Sequence, residues 1–478
     1  MNDKKPVNRV VVTDAIGEVE RVKSDAEIIR ENEELEASLK GGDKKEAPLD
    51  PEVLAKLREK REKKEDEQMT RAVAKRDRSL YFGVVGLGQA GSRIAETFYE
   101  MGYEACAMNT ATQDLEFIEL PENRKLFLPY ALGGAGKELD NGRAAIEQNA
   151  DAVTSKMGEI FGDDQEVFIL AVSGGGGTGS GGAEAMVSLM SQMGKPVCVI
   201  YVLPMDSEDS LSKHNAVTTL GKLAKMASEN IVSTLIVVDN AKIELIYPGL
   251  SKAEFWSTAN NAIVAPLHLF NHLSAMPTQY DSLDSMDFGR LFLGGDCSVY
   301  GMIEVENYME TTAIAEAVLE NLKGTLLASD FDLREARLGG FMVTGSPEVL
   351  RELPAENIHY AQNMISEECD YAQLVKGVYE LPIEEDVVRV YTMFSGLGLP
   401  SARVDALKDE AMQQMSHVRE KEKTRASRMS VDYGAGTETQ NKAQEVRRMI
   451  AQKKSSFGKL TTNAMKRKPK GVVDRRKR

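Results

Sequence analysis

The most constraining feature of the chain is the run Ser173–Gly182, SGGGGTGSGG, in which six of the eight residues 174–181 are glycine. It follows the apolar run VFILAV at 167–172 and precedes the helical pattern of Ala183–Met193. Glycine loses more backbone freedom on folding than any other residue, so such a run between a buried strand and a packed helix needs a reason. Successive backbone N–H groups wrapped around a phosphate supply one, with the Thr178 and Ser180 hydroxyls as extra donors. A second turn of this kind, Gly86-Leu87-Gly88-Gln89-Ala90-Gly91, lies between the apolar run YFGVV at 81–85 and the helical pattern Ser92–Tyr99. There the helix N-terminus offers unpaired N–H groups and the positive end of its dipole to an anion. Taken alone, that GxGxxG pattern also fits a dinucleotide fingerprint or a tight strand–helix turn. A nicotinamide-binding domain needs one such loop, and two argue against it. A P-loop is excluded as well, because Gly136-Lys137 is followed by Glu138 and position 131 is Ala where that motif requires Gly.

Two more apolar runs, VCVIYVL at 197–203 and TLIVV at 234–238, complete a series of strands separated by helical patterns. Continuous apolar strands alternating with helices predict a parallel sheet covered on both faces, hence an α/β domain. A long helical stretch from about Lys252 to Ala275 follows, with Pro266 expected to interrupt it. Beyond it, Ser298–Val305, Leu338–Thr344, Gln373–Tyr379 and Val387–Phe394 read as strands of a smaller α+β domain, and Ser401–Met429 as one long surface helix. The expected organisation is a charged extension over 1–79, disordered or helical, an α/β domain over 80–250 and a central helix over 251–275. An α+β domain over 276–400, a helix over 401–429 and a basic tail over 430–478 complete it.

Charge is unevenly placed. The net charge is −15, yet residues 445–478 carry 13 Lys and Arg against two acids, which leaves −26 on the remainder. An acidic body repels a duplex, whereas the tail suits an acidic protein, a DNA-bound adaptor or nucleic acid, or else remains a solvated run. No stretch approaches the roughly 18 uninterrupted apolar residues of a membrane helix, so no membrane insertion is expected. The segment MNDKKPVNRV lacks the apolar run of a signal peptide, and the four cysteines form neither a disulfide framework nor a zinc pattern. The expected location is cytoplasmic. His268 and His272 share a helical face without an evident third ligand, and the 22 methionines are dispersed as core filler.

The segment GGGTGSG at 175–181 resembles the signature loop of the tubulin/FtsZ superfamily, and further matches run in order from about residue 80 to 400. Gly86, Gly88, Gln89, Ala90 and Gly91 resemble that family's first phosphate loop, with Gln89 as in tubulin. Asn109-Thr110-Ala111-Thr112-Gln113 is similar to a further FtsZ loop, with Ala in place of Asp. Gly134-Ala135-Gly136, followed by Gly142-Arg143, resembles the loop that senses the terminal phosphate. Leu326-Leu327 and Asp332-Leu333, ahead of GGFMVTGS, resemble the lead into the family's C-terminal strands. The resemblance implies a tubulin/FtsZ fold: a parallel-sheet GTP-binding domain, a central core helix and a smaller C-terminal α+β domain. It also implies GTP/GDP and Mg²⁺ as ligands, with phosphates cradled by Gly175, Gly176, Gly177, Thr178, Gly179 and Ser180.

For the sugar and base, the resemblance assigns Glu208 to the ribose and Asn240 and Asn261 to the guanine, with Trp256 stacked on the ring. An arginine of FtsZ is Ser212 here, with Lys213 as a substitute cation. The wording Asp-Asn-Ala-Lys around Asn240 looks more like the plasmid and phage TubZ branch than cellular FtsZ. Asp284 and Asp287 match the loop that FtsZ inserts into the next subunit's pocket, and Ser282 stands where the family has asparagine. The resemblance therefore implies head-to-tail self-assembly with GTP hydrolysis at each joint, serving plasmid or phage DNA segregation or positioning. Cell division, and a non-hydrolysing scaffold of the same fold, are the alternatives.

Overall fold

The computed structural model describes residues 76–429 except 131–132, 248, 250, 325–326, 328–330 and 382–386. The extension up to residue 75, Leu326 and the basic tail from 430 lie outside the described residues.

Ten strands join in one sheet in the order β3-β2-β1-β4-β5-β6-β7-β10-β8-β9. These are β1 Phe82–Leu87, β2 Glu104–Asn109, β3 Lys125–Phe127, β4 Val167–Ser173 and β5 Val197–Leu203, followed by β6 Thr234–Asp239, β7 Cys297–Val305, β8 Leu338–Gly345, β9 Gln373–Glu380 and β10 Val388–Leu397. From β3 to β7 every pairing is parallel. β10 then runs antiparallel to both β7 and β8, and β8 is parallel to β9. β1 and β5 are buried along their whole length, as strands covered by helices on both faces must be. β2 is absent from the sequence reading because EACAMN has no β-branched residue; its ladder to β1 makes it a strand.

Helix Gly88–Glu100 lies directly against β4, because Gly91 has no side chain: a Cβ there would sit 2.1 Å from the Ala171 carbonyl oxygen. The long helix Lys252–Leu273 begins at a capping box, in which Ser251 and Glu254 satisfy each other's backbone N–H groups. It does not break at Pro266 as expected. Proline removes a single backbone donor, and the Tyr300 hydroxyl donates 2.9 Å to the nearby Ile263 carbonyl, while Val264 and Leu267 hold the helix in the core. Helix Ser401–Met429 docks on helix Ser210–Ser228 through buried Leu407 and Ala411.

Candidate nucleotide site

In a parallel sheet the loops that leave the strands' C-terminal ends all emerge at one edge, and there the candidate residues gather. β1 ends in Gly86–Gly91, β2 in Asn109-Thr110, β4 in Ser173–Gly177, β5 in the loop carrying Glu208, and β6 in Asp239-Asn240. The two glycine turns touch: a Cβ on Gly88, whose φ is +77°, would lie 3.1 Å from the Gly179 nitrogen. A Cβ on Gly177 would meet the Ala135 Cβ and the Lys137 nitrogen, each at 2.8 Å, and one on Gly175 would meet Glu208 Oε2 at 2.6 Å. The helices Gly88–Glu100 and Thr178–Ser191 both point their N-termini here. A concave backbone surface at two helix N-termini, with Cβ positions already filled by neighbours, is suited to anions.

The side chains fix the loops. Thr110 and Thr178 share a 2.6 Å hydroxyl hydrogen bond, tying β2 to the second turn. Asn109 is buried and bound to Asp114 through Nδ2 (2.9 Å), and the Gly134 amide donates to the Thr110 carbonyl at 2.9 Å. Asn141 Nδ2 holds the Ala135 carbonyl at 3.2 Å, and Asn215 Nδ2 holds that of Lys137 at 2.7 Å. The Ser180 hydroxyl does not face the cradle as expected. It lies 2.8 Å from the Thr219 hydroxyl, buried against helix Ser210–Ser228, because one turn into its helix the side chain faces the neighbouring helix.

Beside the cradle a small pocket is lined by Gln89, Ala90, Arg93, Asn240, Trp256 and Asn260 among others. Arg93 lies over the Trp256 ring at 5.7 Å. Of the adjacent Asn260 and Asn261, Asn260 lines this pocket together with Asn240, whereas Asn261 is exposed to solvent. Helix geometry explains the correction: residues four apart share a face, so Asn260 stands beside Trp256, and Asn261 is turned a further 100° or so away.

Lys213 is likewise not free to replace the missing arginine. It is 1% exposed, and its ammonium donates to the Asp206 carbonyl and to Glu410 on the C-terminal helix, each at 2.8 Å. Arg403 of that helix pairs with Asp239 (2.7 Å) and Asp206 (3.1 Å). The cation that reaches Ser212 is Lys137, a residue the sequence reading left out except to reject a P-loop; its Nζ is 2.7 Å from Ser212 Oγ and 2.6 Å from Asp209 Oδ2. The Lys137 ammonium and the Ser212 amide hold the Asp209 carboxyl below its usual range.

Asp284 and Asp287 are not brought to the pocket. Asp284 caps helix Ser285–Phe292, its Oδ1 accepting from the Met286 and Asp287 amides at 2.9 Å each. The next residue, Ser285, accepts from the Ser79 hydroxyl at 2.8 Å, and Ser79 also meets Ser274 at 2.7 Å. Ser79 precedes β1, so the aspartates sit at the edge opposite the glycine turns. Trp256 and Ser274 mark the two edges along one helical path, and the 18 steps from one to the other span about 27 Å at 1.5 Å per residue.

Residues 82–248 match the Tubulin/FtsZ family, GTPase domain. The chain is 28% identical over 322 residues to the tubulin-like protein CetZ of Pyrococcus horikoshii, covering 66% of this chain and 85% of that protein. It is 26% identical over 355 residues to the cell division protein FtsZ of Methanothermobacter thermautotrophicus, covering 72% and 87%. Among solved structures, a GTPγS-form protofilament of TubZ from Bacillus thuringiensis serovar israelensis superposes with a TM-score of 0.63 at 18% identity, covering 73% of this chain and 95% of that one. Strand order, the loops at one sheet edge and these likenesses agree: residues 82–248 form a GTPase domain of the tubulin/FtsZ type.

Proposed function

We propose that this protein is a cytoskeletal GTPase that binds GTP in the glycine cradle and hydrolyses it where one subunit stacks head-to-tail on the next. One observation carries the reading: the cradle and the Asp284–Asp287 turn lie at opposite edges of the sheet, about a core-helix length apart. A chain cannot apply its own aspartates to its own nucleotide, but a translated copy can, and such heterologous contacts propagate into filaments. The likeness to a protofilament-forming TubZ structure supports the same arrangement.

In this reading the amides of Gly175–Gly179 and Gly88–Gly91 hold the phosphates, Trp256 stacks on the base, and Asn240 and Asn260 read its edge. The neighbour's Asp287 orients the attacking water. Asp284 positions the turn, since one of its carboxylate oxygens already caps the helix. Among the described residues no group of three or more His, Cys, Asp or Glu is placed to hold a metal. Mg²⁺ is therefore expected to arrive with the nucleotide, held mainly by phosphate oxygens and water, and to offset phosphate charge.

The long helix 401–429 and the basic run 445–478 favour DNA segregation or positioning as the task, with the run contacting an acidic protein, a DNA-bound adaptor or nucleic acid. Deleting 445–478 is expected to leave GTP turnover intact and to change bundling or partner binding.

The test is complementation in trans. Asp287→Ala retains a sound pocket, and Gly177→Val, which forces the Ala135–Lys137 loop off the cradle, retains a sound aspartate turn. Each alone is expected to be inactive. Mixed in equal amounts, half the pockets are competent and half the turns facing them are intact, so about one quarter of the wild-type rate per subunit returns. Additive, near-zero turnover in the mixture, with both variants folded, refutes hydrolysis at a shared joint.

A further inference from the structure

Lys137 directly follows Gly134-Ala135-Gly136, the segment that resembles the family's terminal-phosphate loop, and its placement is specific. Its backbone presses on the second glycine turn, with its nitrogen 2.8 Å from the point a Gly177 Cβ would occupy. Its φ is +59°, a left-handed conformation that a side-chain-bearing residue adopts at a cost and that follows directly on Gly136 at +62°. From there the side chain reaches to Asp209 and Ser212, at the start of helix Ser210–Ser228. Gly175 borders that same end, since its Cβ position lies 3.5 Å from the Ser212 Cβ. The lysine therefore runs alongside the turn Gly175–Gly177, from its backbone contact at Gly177 to the helix end that borders Gly175.

The other cations nearby are engaged elsewhere. Arg93 lies over Trp256, Arg143 is paired with Glu184, and Lys213 is buried against Glu410. Lys137 is also paired, with Asp209, at side-chain exposures of 43% and 58%; Arg143 and Glu184 are 41% and 38% exposed, but Glu184 is held by Lys222 as well. An exposed pair of this kind is weak and gives way to a group of higher charge.

We infer that Lys137 is a triphosphate-sensing residue: when GTP occupies the cradle its ammonium leaves Asp209 and bonds to the terminal phosphate, so that it discriminates GTP from GDP. This rests on the reading of the cradle as a GTP site. It gives this chain a cation for the charge that moves onto the terminal phosphate, at the place where Ser212 supplies none.

The experiment measures the affinities of the full-length protein for GTPγS and for GDP, below the assembly concentration, in wild type, Lys137→Asn and Lys137→Arg. Asparagine removes the charge but tolerates the left-handed backbone, and thermal unfolding without nucleotide verifies that each variant is folded. The expected result is a loss of about tenfold to a hundredfold in GTPγS affinity for Lys137→Asn, with GDP affinity within about twofold and most of the loss recovered in Lys137→Arg. Equal loss for both nucleotides would show that the lysine only braces Asp209 and Ser212, and no loss for either would show that it contacts no phosphate. Both outcomes overturn the inference while leaving the cradle's assignment standing. Failure of wild type to bind either nucleotide would overturn that assignment itself, and the inference with it.

Discussion

Replacing Glu410 by glutamine strands a buried cation and tests whether the C-terminal helix is fastened to the nucleotide loops. Lys213 is 1% exposed and has two acceptors, the Asp206 carbonyl and Glu410 Oε2, both at 2.8 Å. Breaking a buried ion pair by removing one partner costs about 3–5 kcal/mol, because the other charge is left unpaired. Two features reduce that here. The carbonyl still accepts, and the Glu410 side chain is 37% exposed, so water enters beside the vacated carboxylate. The expected loss for Glu410→Gln is therefore about 2 kcal/mol. Lys213→Met leaves a partly hydrated carboxylate with Arg403 still 3.9 Å away and is expected to cost about 1 kcal/mol, while Lys213→Met/Glu410→Gln removes both charges together and is expected to cost about 1 kcal/mol, well under the sum of the singles. The readout is the urea midpoint of the full-length protein at unchanged slope, combined as a double-mutant cycle. Because Asp206 opens the loop that carries Glu208, Glu410→Gln is also expected to weaken guanine-nucleotide binding. Additive single losses, or a Glu410→Gln cost under about 0.5 kcal/mol, would refute the argument that this pair fastens the helix.

The asparagine correction is directly testable: Asn260→Ala is expected to weaken guanine-nucleotide binding by about tenfold to a hundredfold, and Asn261→Ala by less than about twofold; titration calorimetry giving the reverse order would restore Asn261. Gly91→Ala places a Cβ 2.1 Å from the Ala171 carbonyl oxygen and is expected to cost at least about 1–3 kcal/mol in urea unfolding; an unchanged midpoint would show that helix Gly88–Glu100 moves freely on β4. Burial lowers the pKa of His268 to about 4 from 6.5, with Arg78 and His272 nearby acting the same way and Asp77 opposing them. The unfolded chain therefore binds the extra proton first, so the contribution of neutral His268 is complete above about pH 6.5 and is lost as pH falls towards 4. Stability measured between those values is expected to fall by up to about 3 kcal/mol in wild type and by less in His268→Gln; parallel profiles would refute this origin.

Much of the fold is legible in sequence for one reason: a parallel strand buried on both faces has to be apolar without interruption. The runs at 167–172, 197–203 and 234–238 therefore coincide with β4, β5 and β6 to within a residue. β2 escaped because its residues carry little intrinsic strand preference and owe their conformation to β1. Pro266 misled in the other direction, since packing and the Tyr300 hydroxyl keep the helix continuous where local chemistry alone would break it.

What the sequence determined by itself is the close meeting of the two glycine turns proposed to hold an anion, because only glycine permits backbones to approach as Gly88 and Gly179 or Gly177 and Lys137 do, and that requirement is written residue by residue. Tertiary structure decided where side chains point. It turned Ser180 into a helix interface, put Asn260 rather than Asn261 in the pocket, fixed Lys213 to the C-terminal helix and joined Lys137 to the start of helix Ser210–Ser228. It also placed Asp284 and Asp287 at the far edge of the sheet. Such choices depend on helix phase and on partners more than 30 positions away in the chain, and a local pattern carries neither.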